Sequence, residues 1–334
     1  MYFKDALRYR QSWLGFALLW IIIFHLPFEI GVLRHFQSIG YGGVDICIFA
    51  SGIGCFYSLS SDSNTFNFFK RRVKRLIPSY WIFIIAWLVF QYVCGNFNLQ
   101  MAIGNIFAVQ HLSGNGNAFN WYISAIFLFY LIAPYFKAVS EQKNVLHKVA
   151  FLAFLLVCSI PFWSSDNYII IITRLPIFYL GILFADICKR NVLIDKKKVF
   201  ALVISFVLGI GSLILSFLFA KSYLWSCGLY WYPFILITPP LCLAISYISM
   251  ILEKRKATSQ IVKFLSLCGD YSFELYLIHI LMFDIISKVI SYFNNYTVSC
   301  IVWVIGIVCI PIGCFALKRL TEFFNNIIKS IYQV

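Results

Sequence analysis

The chain has 334 residues, 61% of them hydrophobic and 12% charged, with a mean hydropathy of +0.85. A soluble globular protein is near a quarter charged, so this composition excludes one and points to an integral membrane protein. The net charge of +14 would indicate nucleic acid in a soluble chain, but here the placement of the cations along the chain explains it.

A helix needs about 20 apolar residues to cross a bilayer core, and each backbone amide must be satisfied within the segment. The apolar runs predict ten spans, at 12–32, 41–59, 77–94, 119–139, 145–163, 168–188, 198–219, 229–252, 270–292 and 296–317. The expected fold class is an all-α polytopic bundle of about ten transmembrane helices, a single domain over 1–334 with no appended soluble domain. The first run is long enough to span and reads as part of the body rather than as a cleavable signal. Alternating the loops from a cytoplasmic N-terminus puts all but Arg34, Arg174, Lys221 and Lys288 of the 27 Lys and Arg residues on the cytoplasmic side. By the positive-inside rule both termini are therefore cytoplasmic. Lys288 lies close enough to a membrane face to snorkel, whereas Arg174 does not.

A charged side chain at mid-bilayer costs about 2.5–3.5 kcal/mol on insertion scales, so each one needs a physical reason. His25 in the first span, Asp45 in the second and Arg174 in the sixth each lie roughly 20 Å from the cytoplasmic end of the span, at 1.5 Å per residue. Three ionisable residues could thus meet in one layer. Glu29 falls four residues after His25, on the same face if the helix continues past Pro27. Glu274 and His279 lie in the ninth span, nearer the cytoplasm. A neutral imidazole can take a proton from an alcohol, and a nearby carboxylate, Asp45 or Glu29, would orient it.

Between the second and third spans a Ser/Asn linker leads to Lys70, Arg71, Arg72, Lys74 and Arg75, closed by Pro78. Ordinary attraction to anionic lipid would account for such a cluster. Arg72 and Arg75, however, are three apart and share a helical face, which suits a phosphate-bearing ligand held by charge-assisted bonds. The loop at 95–118 has no charge but holds Asn96, Asn98, Gln100, Asn105, Gln110, His111, Asn115 and Asn117 among aromatics and glycines. Its middle, 99–112, is read as a short re-entrant or interfacial helix, and its amides and rings would suit a carbohydrate or simply a polar surface. The eleven cysteines form no CxxC pair and no cluster with histidine, so they are read as small hydrophobes and no metal is expected.

These residues resemble the acyltransferase-3 family of integral membrane acyltransferases. The resemblance rests on His25, on Gly42-Gly43-Val44-Asp45 through Ser51-Gly52, and on Arg72 to Arg75 followed by Ile77-Pro78-Ser79-Tyr80. Weaker echoes are Asn120-Trp121-Tyr122 with Tyr130 and Pro134, Arg174 through Gly181, and Ser272 through Tyr276-Leu277-Ile278-His279. The resemblance implies transfer of an acyl group, commonly acetyl from acetyl-CoA, to a hydroxyl of a surface or secreted glycan or its lipid-linked precursor, at a bacterial cytoplasmic membrane. It makes His25 the catalytic histidine and puts Arg72 and Arg75 on the CoA phosphates. The residues' own placement adds Asp45 and Arg174 to the catalytic group, Arg174 to stabilise developing negative charge or anchor a ligand, and Glu29, Trp121, Tyr122 and His279 are read as substrate-binding. Many members carry a basic residue eleven before the histidine. That position here is Leu14, with Arg10 one turn earlier. A transient acyl-imidazole on His25 is an open alternative. A transporter or flippase for a lipid-linked sugar would also fit ten spans with buried charge, but would need neither CoA nor the arginine motif.

Overall fold

The computed structural model describes residues 2–331 except 63, 114–119, 164, 221 and 294, so Asn115, Asn117 and Lys221 lie outside the described residues. Its regular elements there are helices, apart from one bridge between Tyr2 and Leu193. The principal ones are α1 (Arg10–Phe24), α2 (Gly42–Ser61), α3 (Thr65–Val93), α4 (Leu99–Ile106), α5 (Trp121–Ser140) and α6 (Val145–Val157). They are followed by α7 (Leu175–Lys189), α8 (Lys196–Phe217), α9 (Pro233–Glu253), α10 (Lys256–Asp270), α11 (Ser272–Ile290) and α12 (Tyr296–Ile331).

Eight helical stretches among the described residues are long and apolar enough to cross a membrane. They are α2, α3, α5, α8, α9, Val145–Phe162 around α6, Asn167–Lys189 around α7, and Tyr296–Ile327 of α12. This is the architecture of a polytopic membrane protein. The first and ninth predicted spans are helices of another kind: α1 has only 15 residues, and α11 carries Glu274, Asp284 and Lys288.

Three boundaries differ from the sequence reading, each for a local reason. The helix predicted at 12–32 ends at Phe24, because Pro27 offers no amide and disfavours the helical conformation of the residue before it. Glu29 therefore does not share a helical face with His25; it is exposed on a turn. α3 begins at Thr65 rather than 77, capped by the Asn64 side chain, which accepts from the amides of Phe66 and Asn67, so the basic cluster lies on the helix and Pro78 inside it. The predicted loop before the ninth span holds α10, which packs along α1.

The cations of several segments gather at one end of the bundle. Arg8 pairs with Glu253, Lys137 and Lys189 with Glu141, and Lys148 and Arg190 with Asp186. Two close crossings set the helices that carry the polar residues. A β-carbon at Gly52 of α2 would lie 2.3 Å from the Phe178 carbonyl oxygen, and one at Gly181 of α7 would lie 2.2 Å from that of Phe49. Likewise a β-carbon at Gly15 would meet the Leu265 oxygen at 1.9 Å, and one at Gly269 the Gln11 oxygen at 2.0 Å. Small residues that let backbones touch are the usual means of helix association in lipid.

Gly52→Ala and Gly181→Ala should each destabilise the protein by roughly 1–3 kcal/mol through overpacking against backbone. Thermal unfolding in detergent reads this directly. Gly211→Ala, where an added β-carbon meets nothing within 4 Å, is the control and should not lower the transition.

Candidate active site

Arg10, Leu14, Leu18 and Ile21 recur at helical spacing on one face of α1 and form a wall of a cavity of about 180 Å³. The same stripe continues four residues on to His25. By helical rise, Arg10 and His25 are about 22 Å apart along α1. At the basic end the cavity meets Arg72 and Arg75 of α3. At the other end it reaches Tyr122 of α5 and Tyr276 of α11, whose ring centroids are 4.9 Å apart, and neither His25 nor His279 lines it.

Arg10 and Arg72 are held in place by backbone oxygens. Arg10 donates to Ala50 O at 3.1 Å and Arg72 to Gly54 O at 2.6 Å. The Arg72 guanidinium also lies over the rings of Phe68 and Tyr130, at 5.2 and 5.3 Å. Each of these two arginines keeps a buried Nε without a hydrogen-bond partner. Arg75 is exposed. Three like charges around one cavity, two with unspent donors, make a site for an anion with several oxygens. Arg10 occupies the same face as Leu14, one turn nearer the basic end, and both line the cavity.

His25 closes α1 at the opposite end and is exposed there, while His279 of α11 is fully buried. His279 Nε2 lies 3.3 Å from His25 Nδ1, and His279 Nδ1 lies 2.8 Å from Leu275 O. His25 Nδ1 is also 3.0 Å from Ile21 O. The expected carboxylate partner is thus replaced by a second imidazole.

Asp45 lies in the first turn of α2 and Arg174 at the start of α7, where Pro176 follows the break after the short helix Asp166–Ile172. Both are buried, and Arg174 Nε stands 3.8 Å from Asp45 Oδ1. The guanidinium is sandwiched between Trp121 at 5.0 Å and Trp231 at 4.6 Å and donates to Ile170 O at 2.7 Å. A desolvated cation between two indoles gains on the order of 2 kcal/mol from the ring faces alone.

The model of an acyltransferase domain matches residues 15–319 of the chain. The chain belongs to the acyltransferase-3 family. No curated protein and no solved structure matches it. The family makes this membrane protein a transferase, which sets aside the transporter reading.

Within this acyltransferase the predicted site residues divide into three groups. Arg72 and Arg75 share the cavity, and Tyr122 lines it with them. His25 and His279 meet each other, and Asp45, Arg174 and Trp121 form a separate buried cluster. Glu29 joins none of these contacts. Two amides of the 95–118 loop, Asn98 and Asn105, make internal bonds: Asn98 accepts from Met101 N and Asn105 donates to Met101 O. Tyr80 donates to Asn105 O, and Asn120 donates to Tyr80 Oη and to Asn105 Oδ1, both at 2.9 Å. His111 Nε2 bonds to Asn167 O at 2.7 Å, and burial pushes its imidazole below the usual pKa despite that bond. Sequence reasoning did not single out Ser51, Tyr276 or Glu274 as cavity residues, nor the histidine pair. The 10-14-18-21-25 spacing was the available signal.

Removing one partner of the Asp45–Arg174 pair leaves a charge buried alone, so Asp45→Ala and Arg174→Ala should each cost roughly 3–5 kcal/mol. Asp45→Ala/Arg174→Ala together should cost less than the sum of the single changes. Unfolding measured for the native protein and the three variants in one detergent tests this.

Proposed function

We propose that this acyltransferase moves an acetyl group from acetyl-CoA to a hydroxyl of a cell-surface or secreted polysaccharide, or of its lipid-linked precursor. The basic end faces the cytoplasm of a bacterial cell and the histidine end faces the other side of the cytoplasmic membrane. The observation that carries this reading is the cavity: it begins among Arg10, Arg72 and Arg75 and rises along the α1 face that ends at His25.

The phosphates of the donor rest on the arginines, and its long pantetheine arm follows the α1 stripe toward His25. The acceptor hydroxyl gives its proton to His25 Nε2 as its oxygen attacks the thioester carbonyl. The carbon–sulfur bond breaks, and the CoA thiolate leaves and takes the proton from His25. Asp45 and Arg174 hold Trp121 and Trp231 at the same end of the bundle, where aromatic faces suit a sugar ring. Glu29, exposed in the segment after His25, would meet an acceptor hydroxyl in this reading.

Release of free CoA from acetyl-CoA, with candidate glycans and protein in nanodiscs, tests the reading. His25→Ala should bind donor and not turn over. Arg75→Ala should weaken donor binding roughly 10- to 100-fold with little effect on stability, the worth of one charge-assisted bond at about 1.5–3 kcal/mol. Native protein that neither binds nor consumes any acyl-CoA would overturn it.

A further inference from the structure

Backbone carbonyls fix the protons on the two imidazoles. A carbonyl oxygen can only accept, so the 2.8 Å contact from His279 Nδ1 to Leu275 O puts the His279 proton on Nδ1. A neutral His279 then presents the lone pair of Nε2 to its neighbour. The 3.0 Å contact from His25 Nδ1 to Ile21 O puts the His25 proton on Nδ1 in the same way. That proton is shared between Ile21 O and His279 Nε2, the latter at 3.3 Å. The chain of donors therefore runs from His25 to His279 to Leu275 O, and it leaves His25 Nε2 bare.

We propose that His279 is the positioning residue of this enzyme, its Nε2 the second acceptor of the His25 Nδ1–H, which holds the ring with its own Nε2 free and stabilises the imidazolium formed in the reaction. The inference deepens the acyl-transfer reading and rests on it. A ring orienting a catalytic histidine is ordinarily backed by a carboxylate. Here no carboxylate pairs with either histidine among the described residues, and the groups facing His279 are His25 from α1 and Tyr276 and Phe283 from its own helix. Phe24 packs edge-on against His25, with ring centroids 5.1 Å apart. The pair is enclosed by rings and carries no net charge at rest. When His25 takes the acceptor's proton, its Nδ1–H becomes the donor of a charge-assisted bond to His279 Nε2, which stabilises the imidazolium without a buried anion. An uncompensated carboxylate in this apolar setting would itself have to be neutralised.

His279 also sits on the helix that fails the ordinary test for a span, and His25 on the short one. α11 packs against α1, and the histidine pair joins the end of α1 to the middle of α11. Its position is that of a brace behind the base, away from both the donor cavity and the exposed side of His25.

The test uses the full chain in nanodiscs with His279→Leu, which removes the acceptor at similar bulk, and His279→Gln, which returns an acceptor near the Nε2 position. Solid-state NMR of ¹⁵N-histidine protein, titrated over pH, reads where His25 becomes an imidazolium without any turnover. Ile21 O still holds the Nδ1 proton in every variant, so neutral His25 should keep one tautomer throughout, and His279→Leu should form the imidazolium at a lower pH than native protein and His279→Gln. In the CoA-release assay His279→Leu should lower kcat roughly 10- to 100-fold, the scale of a misplaced catalytic group, with KM for acetyl-CoA within about threefold of native. His279→Gln should recover most of that loss. An unchanged His25 titration in His279→Leu overturns the proposal, as does a His279→Gln variant as slow as His279→Leu. A titration shift in His279→Leu alongside native protein that consumes no acyl-CoA would instead keep the positioning and remove the acyl-transfer reading.

Discussion

The architecture depends on backbone touching backbone at glycine. In lipid there is no hydrophobic gain from bringing two apolar helices together, so packing distance decides which helices associate. Gly52 and Gly181 let α2 and α7 meet at their carbonyls, and this sets the start of α2 beside the start of α7, where Asp45 finds Arg174. Gly15 and Gly269 do the same for α1 and α10, so that α11, which follows α10 after a single residue, runs beside the upper part of α1. The histidine pair and the buried ion pair are both outcomes of those crossings.

Much of this was legible in the residues, and what was not has identifiable causes. Hydropathy and cation placement were sufficient for a polytopic helical bundle, because both report directly on lipid and on topology. Eight stretches among the described residues meet the ordinary test of length and apolarity, and α1 and α11 do not meet it. Pro27 stops the first helix early, and three charges mark the ninth. The equal depth of His25, Asp45 and Arg174 was a sound estimate of layer but not of neighbour. Depth is a one-dimensional quantity, and which two groups meet depends on helix rotation and crossing. Arg174 and Asp45 did meet, while His25 turned to His279, a residue whose estimated depth seemed too shallow. The estimate assumed that every span begins at the same level, whereas α11 starts beside the donor cavity rather than at the surface.

The amide-rich loop was legible in a different way. Neutral amides near aromatics read equally well as a sugar site or as a polar surface, and composition does not separate the two. In the fold, Asn105, Asn120 and Tyr80 bond to one another and fasten α4 against α3 and α5. The Ile-Pro-Ser-Tyr segment that carries part of the family resemblance thus ends in a structural clamp. Ser79 of that segment bonds to Thr321 of α12 on another side.

Tyr122 and Tyr276 bear on the energetics of the cell as well as on the chemistry. In the proposed cycle one helix face connects a water-filled mouth on one side of the bilayer with an exposed histidine on the other, which is the layout of a proton leak. The two rings stand between them in contact, tied to Ser51 and to the chain of α5. With the rings in contact the cavity stops short of His25, and in the proposed cycle the thin arm of a donor would displace them while filling the gap it opens. Acyl transfer by that route would not discharge the ion gradient of the membrane that holds the protein.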